Sequence, residues 1–211
     1  PKGDISADIK FIIKDIKTGE AETITSDSPK TTVDWHGTSD PILCEEIEDA
    51  PVGTIDLEFK AAGKTIVEEN ALVSSEPGAA GDLLGKMTVT EGYIGDEVKF
   101  LAVKLPDGAE VDVTFEDDIS ISVSDLEGPF SADANGGWVY TFTLDALPGG
   151  EYTVKLWDID NNRPKKIGTF KVLSEVKFYN LLGQQVTSVH VGDEVYIIGT
   201  AFPLDAKFKT I

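Results

Sequence analysis

The sequence predicts an all-β protein made of tandem β-sandwich units. Three observations predict it: a period-two alternation of apolar and polar residues, turn residues at short intervals, and an internal repeat with an offset of 97 residues. The alternation is plainest in four segments. Val111, Val113 and Phe115 alternate with Asp112 and Thr114, and Ile119, Ile121 and Val123 with Ser120 and Ser122. Trp138, Tyr140, Phe142 and Leu144 alternate with Val139, Thr141 and Thr143, and Tyr152, Val154 and Leu156 with Thr153 and Lys155. Side chains of a strand point to opposite faces in turn, so each pattern reads as a strand with one buried face. Pro106-Asp107-Gly108, Asn135-Gly136-Gly137, Pro148-Gly149-Gly150 and Asp160-Asn161-Asn162 separate them as turns. No stretch carries a convincing helical stripe.

The repeat has two blocks. Leu83-Leu84-Gly85, running on to Gly95-Asp96-Glu97-Val98, is echoed by Leu181-Leu182-Gly183, running on to Gly192-Asp193-Glu194-Val195, with one residue of difference in length. Each then passes through an apolar stretch to a proline, Pro106 or Pro203. Separately, Ala50-Pro51-Val52-Gly53-Thr54-Ile55 is echoed by Leu147-Pro148-Gly149-Gly150-Glu151-Tyr152. Gly95 to Gly192, Pro106 to Pro203 and Pro51 to Pro148 are all 97 residues apart. The first block opens a unit and the second lies near its end.

About seven strands in such a unit is the size of an immunoglobulin-like sandwich. The expected organisation is therefore tandem immunoglobulin-like β-sandwich domains: one unit in 1–74, a complete one in 75–173, and the opening strands of a third in 174–211. Ile9-Lys10-Phe11-Ile12-Ile13 is expected to open the first. In each unit the last two strands form a hairpin. In the first it turns tightly at Ala61-Ala62-Gly63-Lys64, and in the second it has a longer loop over Asp158 to Lys165. Tyr152, just after Pro148-Gly149-Gly150, is placed to form a tyrosine corner, in which its hydroxyl bonds back to nearby backbone. The first unit has Ile55 there instead.

The chain has 211 residues, 41% of them hydrophobic, enough for a buried core. No run reaches the ~18–20 apolar residues of a membrane span, and no charged-then-apolar leader begins the chain. Because the first residue is Pro1, the chain is expected to be a processed form or a piece of a longer polypeptide. With 38 acidic against 18 basic residues the formal charge is -20. Such a surface repels nucleic-acid phosphates and anionic headgroups, which excludes nucleic acid as a partner, and direct membrane insertion is not expected. It suits solubility, or the attraction of divalent cations. The single cysteine, Cys44, lies in apolar Pro41-Ile42-Leu43-Cys44 and reads as a small buried hydrophobe.

Catalysis has little support. The two histidines, His36 and His190, do not match under the repeat, and no nucleophile elbow, paired-histidine zinc motif or glycine-rich phosphate loop occurs. No enzyme is expected. The best metal candidate is Asp158-x-Asp160-x-Asn162, whose oxygens at alternate positions suit a hard cation such as Ca2+. It departs from the helix-loop-helix calcium motif, with Arg163 at the turn glycine and Thr169 at the bidentate glutamate. Glu116-Asp117-Asp118 with Asp133 is a second acidic cluster. Asp96-Glu97 and Asp193-Glu194 read as strand openings that blunt an edge. Trp35, Trp138 and Trp157, with Tyr93, Tyr140, Tyr179 and Tyr196, could offer a stacking platform to a cell-wall polysaccharide, Trp157 being the one expected to point outward.

The acidic composition, Val191-Gly192-Asp193-Glu194-Val195-Tyr196-Ile197-Ile198-Gly199-Thr200-Ala201 and Pro148-Gly149-Gly150-Glu151-Tyr152-Thr153-Val154 together resemble the tandem immunoglobulin-like domains of archaeal S-layer and other prokaryotic cell-surface proteins. The likeness spans 83–211 well and 1–74 loosely. It implies an extracellular structural component of a surface layer, held by lateral contacts with copies of itself or with neighbouring domains and often by divalent cations. The chain lacks the Asn-x-Ser/Thr sequons usual in such proteins. Two alternatives share the fold. One is a filament subunit in which 174–211 completes the N-terminal unit of a neighbour by strand addition. The other is a carbohydrate-binding or adhesin module.

Overall fold

The computed structural model of the chain describes residues 3–26, 30–33, 51–79, 82–145, 147–203 and 206–207. Trp35, His36 and Cys44 lie outside the described residues. The chain is all-β with several antiparallel sheets and, among the described residues, one short helix.

The N-terminal sheet contains β1 (Gly3–Asp15), β2 (Ala21–Ser26), β3 (Lys30–Val33), β4 (Gly53–Ala61) and β5 (Lys64–Ser74). Its order is β2-β1-β4-β5, with β3 paired to the first residues of β1. Strand β1 alternates cleanly. Ile9, Phe11 and Ile13 are buried with Ile55 of β4, and Ile24, Leu57 and Phe59 pack beside them. The β1–β2 turn closes on Asp15, whose carboxylate accepts from the N–H groups of Thr18 (2.7 Å) and Lys17 (2.8 Å). These bonds hold its pKa below the ordinary range. The β4–β5 hairpin turns where expected, through Ala62 and Gly63 at φ 50° and 77°, a left-handed pair that matches the twist of the strands.

The central portion has β6 (Leu84–Met87), β7 (Glu91–Gly92), β8 (Glu97–Val103), β9 (Glu110–Glu116), β10 (Ser120–Ser122), α1 (Val123–Glu127), β11 (Phe130–Ser131), β12 (Trp138–Thr143), β13 (Gly150–Asp158) and β14 (Arg163–Val172). Strands β12-β8-β6 form one sheet. Strands β10-β9-β13-β14-β7 form the other, with β11 also on β9 and β7 running parallel to β14. The two face each other across one core. Phe115 of β9 lies at its centre, with ring centroids 6.0 Å from Phe100 and Phe142, 6.1 Å from Tyr152 and 5.8 Å from Phe170. The inward positions expected at Tyr152, Val154 and Leu156 are all buried, as are Trp138, Phe142 and Leu144.

The C-terminal portion is a single antiparallel pair, β15 (Glu175–Tyr179) with β16 (Tyr196–Thr200).

The repeat recurs as geometry. Gly95 and Gly192 both take left-handed φ, 96° and 99°. In each turn the Asp that follows accepts from a backbone N–H at 2.8 Å, Tyr93 to Asp96 and His190 to Asp193. Ala109 N–H bonds to the Pro106 carbonyl at 3.2 Å, and Ala206 to that of Pro203 at 3.0 Å. Strands β4 and β13 begin at Gly53 and Gly150, again 97 residues apart, and each starts a hairpin.

Three details depart from the sequence reading. Ile119 to Val123 is not one strand. After Ser122 the chain enters α1, because the Ser122 hydroxyl accepts from Asp125 N–H as an N-cap. Ile9 to Ile13 corresponds by its pairing to β9 and not to β8: β1 pairs with β4 as β9 pairs with β13. Leu181-Leu182-Gly183 does not match Leu83-Leu84-Gly85 in structure. Leu84 pairs with Val103 as Glu175 pairs with Thr200, which makes β15 the counterpart of β6. Leu182 instead lies in a turn closed by Asn180, whose side-chain oxygen accepts from Leu182 and Gln184 N–H, both at 3.0 Å.

Candidate functional site

The Asp158-x-Asp160-x-Asn162 loop joins β13 to β14, and the fold uses each of its groups. Asp158 is fully buried, the last inward residue of β13, and accepts from both the backbone and the side-chain amide of Asn161. Asp160 turns the other way and accepts from Glu110 N–H at 3.0 Å, tying the loop to the start of β9. Asn162 takes φ 49°, the left-handed corner of the turn. Among the described residues no three His, Cys, Asp or Glu side chains converge as a metal site.

The second acidic cluster is also dispersed. Glu116 pairs with Lys155 of the neighbouring strand. Asp133 closes a separate turn, accepting from Asn135 (2.9 Å) and Gly137 (2.8 Å) N–H groups. Asp117 and Asp118 line an open hollow with Tyr152. The tyrosine corner forms as expected, with Tyr152 hydroxyl donating to the Pro148 carbonyl at 2.8 Å. Burial, with Asp117 nearby, raises the Tyr152 pKa.

The aromatic residues are divided between sheets. Trp138 stacks on Tyr140 (5.9 Å, 17°) and Phe130 lies 4.4 Å from Tyr140, closing the edge where β11 and β12 meet. Burial and the Glu127 carboxylate raise the Tyr140 pKa. Trp157 is half-buried on the outer face of β13, and its indole N–H donates to Thr114 at 2.9 Å. His190 has an almost fully exposed side chain beside Asp193.

Two buried carboxylates were missed by the sequence reading, although both interrupt apolar runs. Asp112, between Val111 and Val113, accepts from Ser122 hydroxyl (2.7 Å) and Ser124 N–H (2.9 Å). Asp56, between Ile55 and Leu57, pairs with Lys14 and accepts from Asn70 N–H at 2.8 Å. Asn70 sits where β5 slips its register against β4, at φ 49°, and its buried side-chain oxygen has no hydrogen-bond partner among the described residues.

Burial pushes the Asp56 carboxyl up, but the Asn70 bond and the Lys14 ammonium, with Lys86 beyond it, outweigh burial and the pKa lies below its ordinary value. A carboxyl depressed in this way contributes stability above its unfolded value of about 4, and that contribution is lost as pH falls through the lower folded value. Asp56→Asn is therefore expected to cost about 1–2 kcal/mol at neutral pH and to cost less once the pH is well below the unfolded value of about 4. Urea denaturation at the two pH values checks this. An equal loss at both would mean that the charge contributes nothing.

Among the described residues, the C-terminal pair carries an exposed apolar surface. Ile197 and Phe178 hold the places of Phe100 and Met87 in the central core, yet they are 64% and 46% exposed where their counterparts are 0% and 8%. Val186, Val189 and Val195 join Phe178 around an apolar hollow of 220 Å³. None of these side chains suits chemistry. They suit packing against another surface.

No family model matches the chain, and no curated protein matches it. Among solved structures it is similar to a tetra-tandem repeat in the extending region of a large adhesion protein. That likeness has a TM-score of 0.28 and 11% identity, covering 94% of this chain and 59% of the other. So distant a likeness carries no argument about function.

Proposed function

We propose that the chain is a structural segment of an extracellular cell-surface assembly, a spacer of tandem immunoglobulin-like units that also self-associates and carries no catalysis. The observation that carries this reading is that unit-building turns recur 97 residues apart with the same bonds, at Gly95-Asp96 and Gly192-Asp193 and again at Pro106 and Pro203. A repeated scaffold whose buried carboxylates, among the described residues, bond to the scaffold itself is what a spacer needs. The immunoglobulin-like assignment draws support from the central strand order, in which β6 and β7 divide between facing sheets, and from the tyrosine corner at Tyr152. The proposed units are 1–74, 75–173 and a partial 174–211. Self-association draws on the exposed apolar face of β15 and β16. Electron microscopy of concentrated protein with added Ca2+ is the test. Regular arrays are expected, and a persistent monomer would sink the reading.

Strand exchange is favoured by one specific observation. Strands β2-β1-β4-β5 pair as β10-β9-β13-β14 do, while β15 and β16 pair as β6 and β8 do, so the N-terminal and C-terminal sheets correspond to different sheets of the central portion. On that reading, deleting 174–211 abolishes polymerisation and leaves the central sheets folded. Polymers that survive the deletion rule it out.

A further inference from the structure

We infer that the two joints along this chain are one recurring joint, so that each unit fixes the placement of the next and the spacer is stiff. Lys104 and Ala201 are 97 residues apart, and each follows the last residue of its strand, β8 or β16. Both take left-handed φ, 61° and 52°, an uncommon conformation for residues that carry a Cβ. In each case a serine one or two residues past the preceding segment's last strand bonds to the backbone of that residue. Ser75, after β5, accepts from Lys104 N–H at 2.9 Å and donates to the Gly136 carbonyl at 3.2 Å. Ser174, after β14, donates to the Ala201 carbonyl at 2.6 Å.

A glycine completes each joint. Gly78 donates its N–H to the Leu105 carbonyl at 3.1 Å, and a Cβ there would come within 2.4 Å of the Lys104 carbonyl oxygen. Gly149 lies so close to Ala201 that a Cβ would stand 1.8 Å from its carbonyl oxygen and 2.9 Å from the Ser174 hydroxyl. Only glycine lets the two backbones approach this closely. Two residues in the same unusual conformation are each held by the serine at the start of their own unit, just past the preceding strand, so the chain that leaves one unit is fastened to the next. Of the two glycines, Gly78 lies beside Ser75 in that connecting stretch, and Gly149 lies in the preceding unit against Ala201. The first joint also has Lys99–Glu68 and Lys104–Glu76 pairs at 3.0 and 3.3 Å. The second has Tyr196 and Ala201 in those lysine positions, so the charges are an addition and the serine's bond to the left-handed residue is the shared part.

This joint presupposes tandem units and is independent of whether copies of the chain associate. Pulsed electron paramagnetic resonance on the full chain tests it, in a Cys44→Ser background. Spin labels at Lys64→Cys and Asp107→Cys span the first joint, and labels at Asp107→Cys and Leu182→Cys the second. One narrow distance distribution is expected at each. Gly78→Ala should broaden the first alone and Gly149→Ala the second alone. Because Gly149 also leads into β13, tryptophan fluorescence must show the central core intact, and Ser174→Ala, which leaves that turn unchanged, must broaden the second joint as well. Broad distributions in the parent chain would overturn the inference, as would widths unmoved by Gly78→Ala and Ser174→Ala. Failure to form arrays leaves these distances unchanged, so it tests self-association alone.

Discussion

Phe115→Ala is expected to destabilise the central sheets by about 3–5 kcal/mol, a large part of the ~5–15 kcal/mol that holds a domain together. Phe115 is fully buried, and four aromatic rings surround it: Phe100 and Phe142 from one sheet, Tyr152 and Phe170 from its own. Truncation removes the ring's transfer free energy, and the hole left behind adds to the loss. Three of the four contacts are steep edge-on arrangements, whose electrostatics add a further contribution beyond area. The rigid rings on all sides cannot collapse into the space without leaving their rotamers, so little of the loss is recovered. Denaturant titration followed by tryptophan fluorescence reads these sheets well, since Trp138 and Trp157 lie in β12 and β13. Val113→Ala, on the same face of β9, should cost less because a smaller side chain is removed. A loss under about 1 kcal/mol for Phe115→Ala would mean that the sheets are not joined through this ring.

What the sequence disclosed of this fold was what one strand face and one turn can encode. Tyr152, Val154 and Leu156 alternate because their inner face meets a core, and the residues between them are free to be polar. The same logic located Trp138, Phe142 and Leu144, and turn chemistry located Ala62-Gly63 and Asn135-Gly136. Alternation says nothing about whether the second face is also covered. Asp112 and Thr114 looked like solvent-facing residues of β9, yet both are buried, one beneath α1 and the other beside Trp157. Leu181-Leu182-Gly183 misled for a related reason. Its composition fits a strand start, but the Asn180 side-chain oxygen accepts from the N–H groups that follow it and closes a local turn, whereas Asp82 at the matching place accepts from Ala79 N–H before it and leaves Leu84 free to pair. The candidate cation loop failed to converge because an oxygen's direction is not encoded by spacing. Asp158 continues the inward alternation of β13, so it points to the core, while Asp160 points to β9. The joints were invisible in sequence because their decisive property, left-handed backbone at Lys104 and Ala201, falls on residue types that rarely adopt it.

Asp112→Ala is expected to cost about 2–4 kcal/mol, the second largest loss of any single side chain considered. The carboxylate is 5% exposed and its oxygens are fully used: one takes the Ser122 hydroxyl at 2.7 Å, the other the N–H groups of Val113 (2.7 Å) and Ser124 (2.9 Å). Alanine would leave the Val113 and Ser124 N–H groups without this acceptor in a largely buried site, with only the Ser124 hydroxyl, 2.9 Å away, left for that of Ser122, and unmet donors beside a former anion cost more than the bonds themselves were worth. The damage also reaches α1. The Ser122 hydroxyl caps Asp125 N–H, and Asp112 fixes that hydroxyl, so losing the carboxylate frees the cap to rotate away. Helix α1 is five residues long and cannot persist on propensity alone. Val123, fully buried at its start, would then lose its place against β9. Amide hydrogen exchange separates this from a general loss of stability: Ser124 and Gly128, whose N–H groups bond to Asp112 and to the Ser124 carbonyl, should lose protection before the β9–β13 ladder does. Asp112→Asn keeps a side-chain oxygen for one donor and should recover part of the loss. If alanine and asparagine cost the same and exchange rises evenly through the sheet, Asp112 does not anchor α1, and the helix is held by the packing of Val123 alone.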